Sequence, residues 1–243
     1  MLLIWVDNFI SISDDDKLND QIETELKSHF EVKSLGQPSL IIGVKIQQGD
    51  HIISLSQTHY IDNLLSKYRL QDANPVSTPM DFNIKLDNPE ESPTEEKHQN
   101  LAIFGYANLI GSLMYLAIAT RLDIAYSINK LAQFTSAPRP KHWTAIKQVF
   151  QYLKGTQSLE LTYGGLPDLL NPELNIYCDS DWASYYDQKS ISRYVITIAG
   201  GAVAWSSKKQ MTVAPSTPEA EYIAAAHAAK QVLWHCLLLL EVV

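Results

Sequence analysis

The chain has 243 residues, 46% of them hydrophobic and 19% charged, and a formal net charge of −8. That length suits one large domain or two modest ones with buried cores, and the composition excludes a disordered chain. The acidic balance argues against strong nonspecific binding to nucleic acid by the surface as a whole.

Cys178 and Cys236 have no metal-ligand spacing, and the histidines form no HxxxH or HExxH pattern, so a zinc site is not expected. Free thiols in a reducing, intracellular setting are. The opening run Met1–Val6 is too short for a signal segment and lacks a basic flank. No segment reads as reaching the ~18 apolar residues of a membrane span. Leu237–Leu240 reads as core, so the chain is expected off the membrane.

In chain order, Leu2–Val6 and Phe9–Ser13 are β-prone runs split by Asp7-Asn8, a natural hairpin turn. Asp14-Asp15-Asp16 then caps a helix whose face carries Leu18, Ile22, Leu26 and Phe30. A hairpin follows, Leu40–Ile46 with His51–Ser56 around Gln48-Gly49-Asp50, and then a helix bearing Tyr60, Leu64, Leu65 and Tyr68. Pro75-Val76-Ser77-Thr78-Pro79 interrupts regular structure, and the acidic stretch 81–100 reads as an exposed connector. Three helices are predicted at about 101–118, 122–135 and 141–154, the last with a stripe of Ile146, Val149, Phe150 and Leu153.

Strands are expected at Leu159–Tyr163 and Leu174–Cys178, and a hairpin at Tyr194–Ile198 and Ala202–Trp205 across Gly200-Gly201. The last helix opens at Ser216 and runs to the end, with Tyr222, Ala226, Ala229, Leu233, Cys236, Leu237 and Leu240 at helical spacing. The main boundary is placed near residue 165.

Carboxylates carry the candidate chemistry. Asp7 sits at a tight turn, either as a turn former or as a metal-holding group lifted to a sheet edge. Asp179 and Asp181, two residues apart at a strand end, share a face; ordinary strand-end polarity is the alternative. Ser216 and Glu219 fit a capping box, which leaves Glu221, beside a core-facing Tyr222, as the better metal ligand. Arg139, Lys141, Lys147 and Lys154 gather without any acid on one predicted helix. They read either as a phosphate-binding stripe or as a solvated face.

Several stretches together resemble the pol of copia-type retrotransposons. Trp5-Val6-Asp7-Asn8 is similar to that family's Y-V-D-D, and Phe30-Glu31-Val32-Lys33-Ser34-Leu35-Gly36 to its F-x-M-K-D-L-G. Leu55-Ser56-Gln57, Pro75–Pro79, Gly111–Leu116, Arg121-Leu122-Asp123, Tyr152–Thr156, Trp205–Gln210 and Ser216–Tyr222 follow in the family's order.

The resemblance implies an α+β fold in two parts. Residues 1–165 would be the C-terminal part of a reverse transcriptase, with palm remnant, thumb and connection-like helices. Residues 166–243 would be the first part of an RNase H-like α/β domain. It implies RNA-directed DNA synthesis coupled to cleavage of RNA in RNA–DNA hybrids, with Mg²⁺ as cofactor and a hybrid or template–primer as partner. Asp7 would match the first polymerase metal ligand, Asp179 the first RNase H Asp and Glu221 the RNase H Glu. Asn8 replaces the family's second Asp, and Leu122 and Pro218 are smaller departures. An earlier palm Asp is expected upstream of Met1 and a further RNase H Asp beyond Val243. An incomplete enzyme is therefore expected, with a non-catalytic, nucleic-acid-binding remnant as the alternative.

Overall fold

The computed structural model describes residues 1–6, 8–13, 15–81, 84, 86, 105–165, 173–183 and 187–242. Asp7 and most of the acidic connector 81–100 lie outside the described residues.

Helices and three antiparallel sheets alternate along the chain, an α+β arrangement. Strands β1 (Leu2–Trp5) and β2 (Asn8–Ser11) form a ribbon in which Trp5 pairs with Asn8. Asn8 is therefore the first residue of β2 and not a turn residue, and Val6 enters the turn with φ +50°. Helix α1 (Asp16–His29) is capped as expected, with the Asp15 carboxylate accepting from the Lys17 N–H at 2.9 Å.

The second sheet runs β3 (Leu40–Ile41), β4 (Val44–Gly49), β5 (Ile52–Ser56) and β6 (Leu161–Gly164) in that order. The run expected as one strand over 40–46 folds back at Ile42-Gly43, both at positive φ, so that β3 pairs with β4. Strand β6 pairs with β5 and so belongs to the first part of the chain.

Beneath lies the main core. Helices α2 (Thr58–Lys67), α3 (Tyr106–Ala119), α4 (Ala125–Ala132) and α5 (Pro140–Gly155) bury Ile61, Leu65, Leu113, Ile128 and the whole expected α5 stripe. The Tyr106 hydroxyl donates to the Leu131 carbonyl at 2.8 Å and ties α3 to α4. Leu86 is 1% exposed inside this core, so the acidic stretch expected to be an exposed connector is buried at this residue. An apolar side chain among acids finds its place against α5, where the Leu86 carbonyl meets His142 at 3.3 Å.

The third sheet is the meander β7 (Leu174–Asp181), β8 (Ile191–Ile198), β9 (Gly201–Lys209). Ile198 pairs with Gly201, so Ala199-Gly200 makes the turn, with φ +51° and +80°. Positive φ at both positions is what a two-residue hairpin with native twist requires. Strand β9 leans on the first part of the chain. The Trp205 indole donates to the Ala117 carbonyl at 2.7 Å, and the Tyr163 hydroxyl to the Ala202 carbonyl at 2.7 Å.

Helix α6 (Thr217–Val242) covers β7 and β8 with a face opposite to the expected one. Ala220, Ala224 and Ala228 are buried, whereas Tyr222, Ala226, Ala229, Leu233, Cys236, Leu237 and Leu240 are exposed. Small side chains let the helix approach the sheet, and the helix is apolar nearly all round, so spacing alone does not choose the face. Leu237–Leu240 is thus not core. Between Tyr222 and Leu240 the only Asp, Glu, Lys or Arg is Lys230. By length and composition alone α6 is long and apolar enough to cross a bilayer, contrary to the expectation that no segment is.

Candidate functional site

The candidate site lies at the C-terminal end of β7. In the β7–β8 register Asp179 stands directly opposite Arg193, and Ser180 opposite Ser192. Alternation puts Asp179, Asp181 and Arg193 on one face and Ser180, Tyr194 and Ile196 on the other. The second face is the one α6 covers, because Tyr194 and Ile196 pack on Ala228.

On the first face, Arg193 Nη1 lies 3.5 Å from Asp179 Oδ2 and Nη2 lies 3.2 Å from Asp181 Oδ2. One guanidinium spans both carboxylates, with the Tyr126 ring of α4 5.0 Å below it. The expected shared face of Asp179 and Asp181 is therefore present.

Glu221 arrives from the other side. Its Oε1 accepts from the Ser180 backbone N–H at 3.3 Å, one peptide from Asp179. The start of α6 is fixed by Gln210, whose amide donates to Ser192 Oγ at 3.0 Å and to the Ala220 carbonyl at 2.9 Å. The Trp182 indole donates to the Ala214 carbonyl at 3.1 Å and fastens the strand end to the segment before α6. Ser216 supplies its half of the expected capping box, its Oγ accepting from the Glu219 N–H at 3.4 Å. Tyr222 is exposed and gives Glu221 no core neighbour, against expectation. Further along, Tyr194 meets His227 edge-on at 5.3 Å. Burial, then the charges of Lys208 and Lys230, hold the His227 imidazole below its ordinary value.

The three carboxylates suit Mg²⁺ in kind, since it takes hard oxygen ligands. In arrangement they do not fit a resident ion. Asp179 and Asp181 share the single positive charge of Arg193, and Glu221 is bound to a backbone amide at the strand edge. Among the described residues no group of three or more His, Cys, Asp or Glu is placed to hold a metal ion. No chemical step is derived through one.

Gln210 and Trp182 carry no site role in the sequence reading, and Arg193 lies in none of its motifs. Arg193 carries a signal, a lone base within an apolar strand, but its meaning depends on the register opposite Asp179.

The basic residues sit on or beside α5. Arg139 is its N-cap residue, and its backbone N–H donates to His142 Nδ1 at 2.8 Å. Lys147 is exposed and Lys154 half-buried. At about 100° per residue, Lys147 and Lys154 fall in line two turns apart, while Lys141 is about 120° around the helix from Lys147. The four are not one stripe.

A second charged cluster, not anticipated as such, joins Arg121 to Asp123, Tyr152 and Thr156. Arg121 Nη2 reaches Asp123 Oδ2 at 2.7 Å and Thr156 Oγ1 at 2.6 Å, and the Tyr152 hydroxyl donates to Asp123 Oδ2 at 2.8 Å. Burial pushes the Asp123 carboxyl up, but the Arg121 hydrogen bond and charge, with the Tyr152 bond, outweigh it and hold the group below its ordinary value.

Comparison with known proteins agrees with these motifs. Residues 1–82 match the family described as reverse transcriptase (RNA-dependent DNA polymerase). The retrovirus-related Pol polyprotein from transposon TNT 1-94 of Nicotiana tabacum is 37% identical over 96% of this chain, which spans 18% of that relative's length. An uncharacterized mitochondrial protein of Arabidopsis thaliana is 31% identical over 96% of this chain and 93% of its own length. A transposon Ty5-1 protein of Saccharomyces cerevisiae is 30% identical over 95% of this chain and 73% of its own. No solved structure is a significant match. Family order, motif content and near full-length similarity agree, and the chain belongs to the family of copia-type retrotransposon Pol polyproteins.

Proposed function

We propose that this chain is a Pol-derived piece that binds RNA–DNA hybrid or template–primer without processing it. Residues 1–165 act as the later part of a reverse transcriptase, with Asp7 as its polymerase carboxylate, and residues 166–243 as the opening of an RNase H-like unit. The observation that carries the non-catalytic reading is the state of the strand-end carboxylates. Asp179 and Asp181 share one guanidinium, and in the first motif Asn8, which opens β2, stands where the family has an acid. Contact with the phosphate backbone falls to Lys147 and Lys154, in line on α5, with Arg139 and Lys141 at its start.

Fluorescence anisotropy with a labelled RNA–DNA hybrid tests this. Binding is expected to weaken with salt, and Lys147→Glu with Lys154→Glu to flatten the log–log salt slope by about two. Binding indifferent to both substitutions removes the reading.

A second reading keeps catalysis, because Glu221 reaches the peptide beside Asp179 from the helix that follows the meander. It requires Mg²⁺-dependent cleavage of the hybrid by the wild type and none by Asp179→Asn. Equal behaviour of the two proteins eliminates it.

A further inference from the structure

We propose that Arg193 is a built-in counter-cation that closes the Asp179–Asp181 face to divalent metal ions, and that its removal opens a metal-binding site there. This deepens the reading above, since it concerns the same carboxylates. Its test contains no nucleic acid, so it can fail while hybrid binding stands, and the reverse.

Three observations carry it. Arg193 lies on β8, the middle strand of three, directly opposite Asp179, so backbone pairing on both sides fixes the origin of its side chain. The guanidinium then divides itself between Asp179 at 3.5 Å and Asp181 at 3.2 Å, the position a cation shared by two carboxylates would take. Finally, the Tyr126 ring supports it from below at 5.0 Å, while Nε is enclosed with no hydrogen-bond partner among the described residues. An exposed arginine on a flexible stem would yield to millimolar cations. Arg193 is 37% exposed, but with a fixed root and an aromatic floor, swinging aside gives up both ion pairs and the ring contact together.

Charge acts in the same direction. A divalent ion about 5 Å from a fixed guanidinium is repelled enough, even at the dielectric constant of water, to lower its affinity roughly tenfold. It would also have to break both ion pairs before gaining their oxygens. Without Arg193, two carboxylates from one strand end remain on one face, with Glu221 Oε1 at the intervening peptide. Hard oxygens of this kind take Mg²⁺ or Mn²⁺ through one or two carboxylates, with water filling the remaining positions.

The experiment is a Mn²⁺ titration of the full chain, followed by calorimetry and by the electron paramagnetic resonance signal of free Mn²⁺, with Mg²⁺ as competitor. Arg193→Gln keeps the length and removes the charge. It is expected to bind Mn²⁺ at least about tenfold more tightly than the wild type. Adding Asp179→Asn to it is expected to abolish the gain. Arg193→Ser serves as a second neutral variant should the glutamine protein fail to fold, judged by far-UV circular dichroism against the wild type. The proposal is overturned if the wild type binds Mn²⁺ as tightly as a folded neutral variant. It is also overturned if the gain survives Asp179→Asn.

Discussion

Arg121→Met tests whether the cluster behind α5 holds the helical core together. The guanidinium is 2% exposed and Asp123 27% exposed. Nε and Nη2 both address the Asp123 carboxylate, while Nη1 donates to the Thr156 carbonyl at 3.0 Å and Nη2 to its hydroxyl at 2.6 Å. Methionine fills the space but removes the guanidinium donors from the partly buried Thr156 carbonyl at the end of α5 and leaves the Asp123 carboxylate with only Tyr152 among the described side chains. Breaking a buried pair from one side costs about 3–5 kcal/mol. Water can reach Asp123, which puts the expected loss near the lower end, about 3 kcal/mol, against a total stability of roughly 5–15 kcal/mol. With a urea slope of about 3 kcal/mol/M the midpoint should fall by about 1 M at unchanged slope. Arg121→Met combined with Asp123→Asn should lose less than the sum of the two, since the second change removes the charge the first one stranded. A midpoint within about 0.3 M of wild type, or strict additivity, would refute the reasoning.

The same cluster sets an acid limit. Asp123 is held below its ordinary value, so its contribution is complete above the unfolded value of about 4 and fades as pH falls through the lower folded value. The urea-midpoint gap between wild type and Asp123→Asn should therefore narrow below about pH 4; a gap constant down to about pH 2 contradicts the assignment. At Gly201, an added Cβ would lie 2.3 Å from the Tyr163 ring and 2.6 Å from the Thr162 carbonyl oxygen, where β9 meets β6. Gly201→Ala should cost about 1–3 kcal/mol in urea denaturation. Unchanged stability would mean that β6 and β9 do not approach as described.

Legibility differed by element for physical reasons. The α5 stripe was readable because that helix has one apolar face and one polar face, so spacing names the buried side. Helix α6 has apolar residues all round, and the face that packs is the one with alanines, which close approach favours and bulk does not. Both hairpin turns were expected one residue too late: Asn8 and Gly201 begin strands, and the second turn falls on Ala199-Gly200. Asp179, Asp181 and Glu221 were visible as residue types at plausible positions. Arg193 was not, because nothing local reveals that the connection from Trp182 to Ser190 brings residue 193 opposite residue 179.

The place of β6 in the second sheet also bears on the order of folding. Ser54 and Thr162 face each other across β5 and β6, 108 positions apart along the chain. At roughly 5–20 residues per second on the ribosome, β5 waits about 5–20 s for its neighbour to be made. Throughout that interval the 44–56 hairpin is complete but carries an unpaired edge, the kind of surface on which nascent chains join one another. Completion depends on a late, long-range pairing, so the slow step of folding should be closure of this sheet and not formation of the helices that connect its ends.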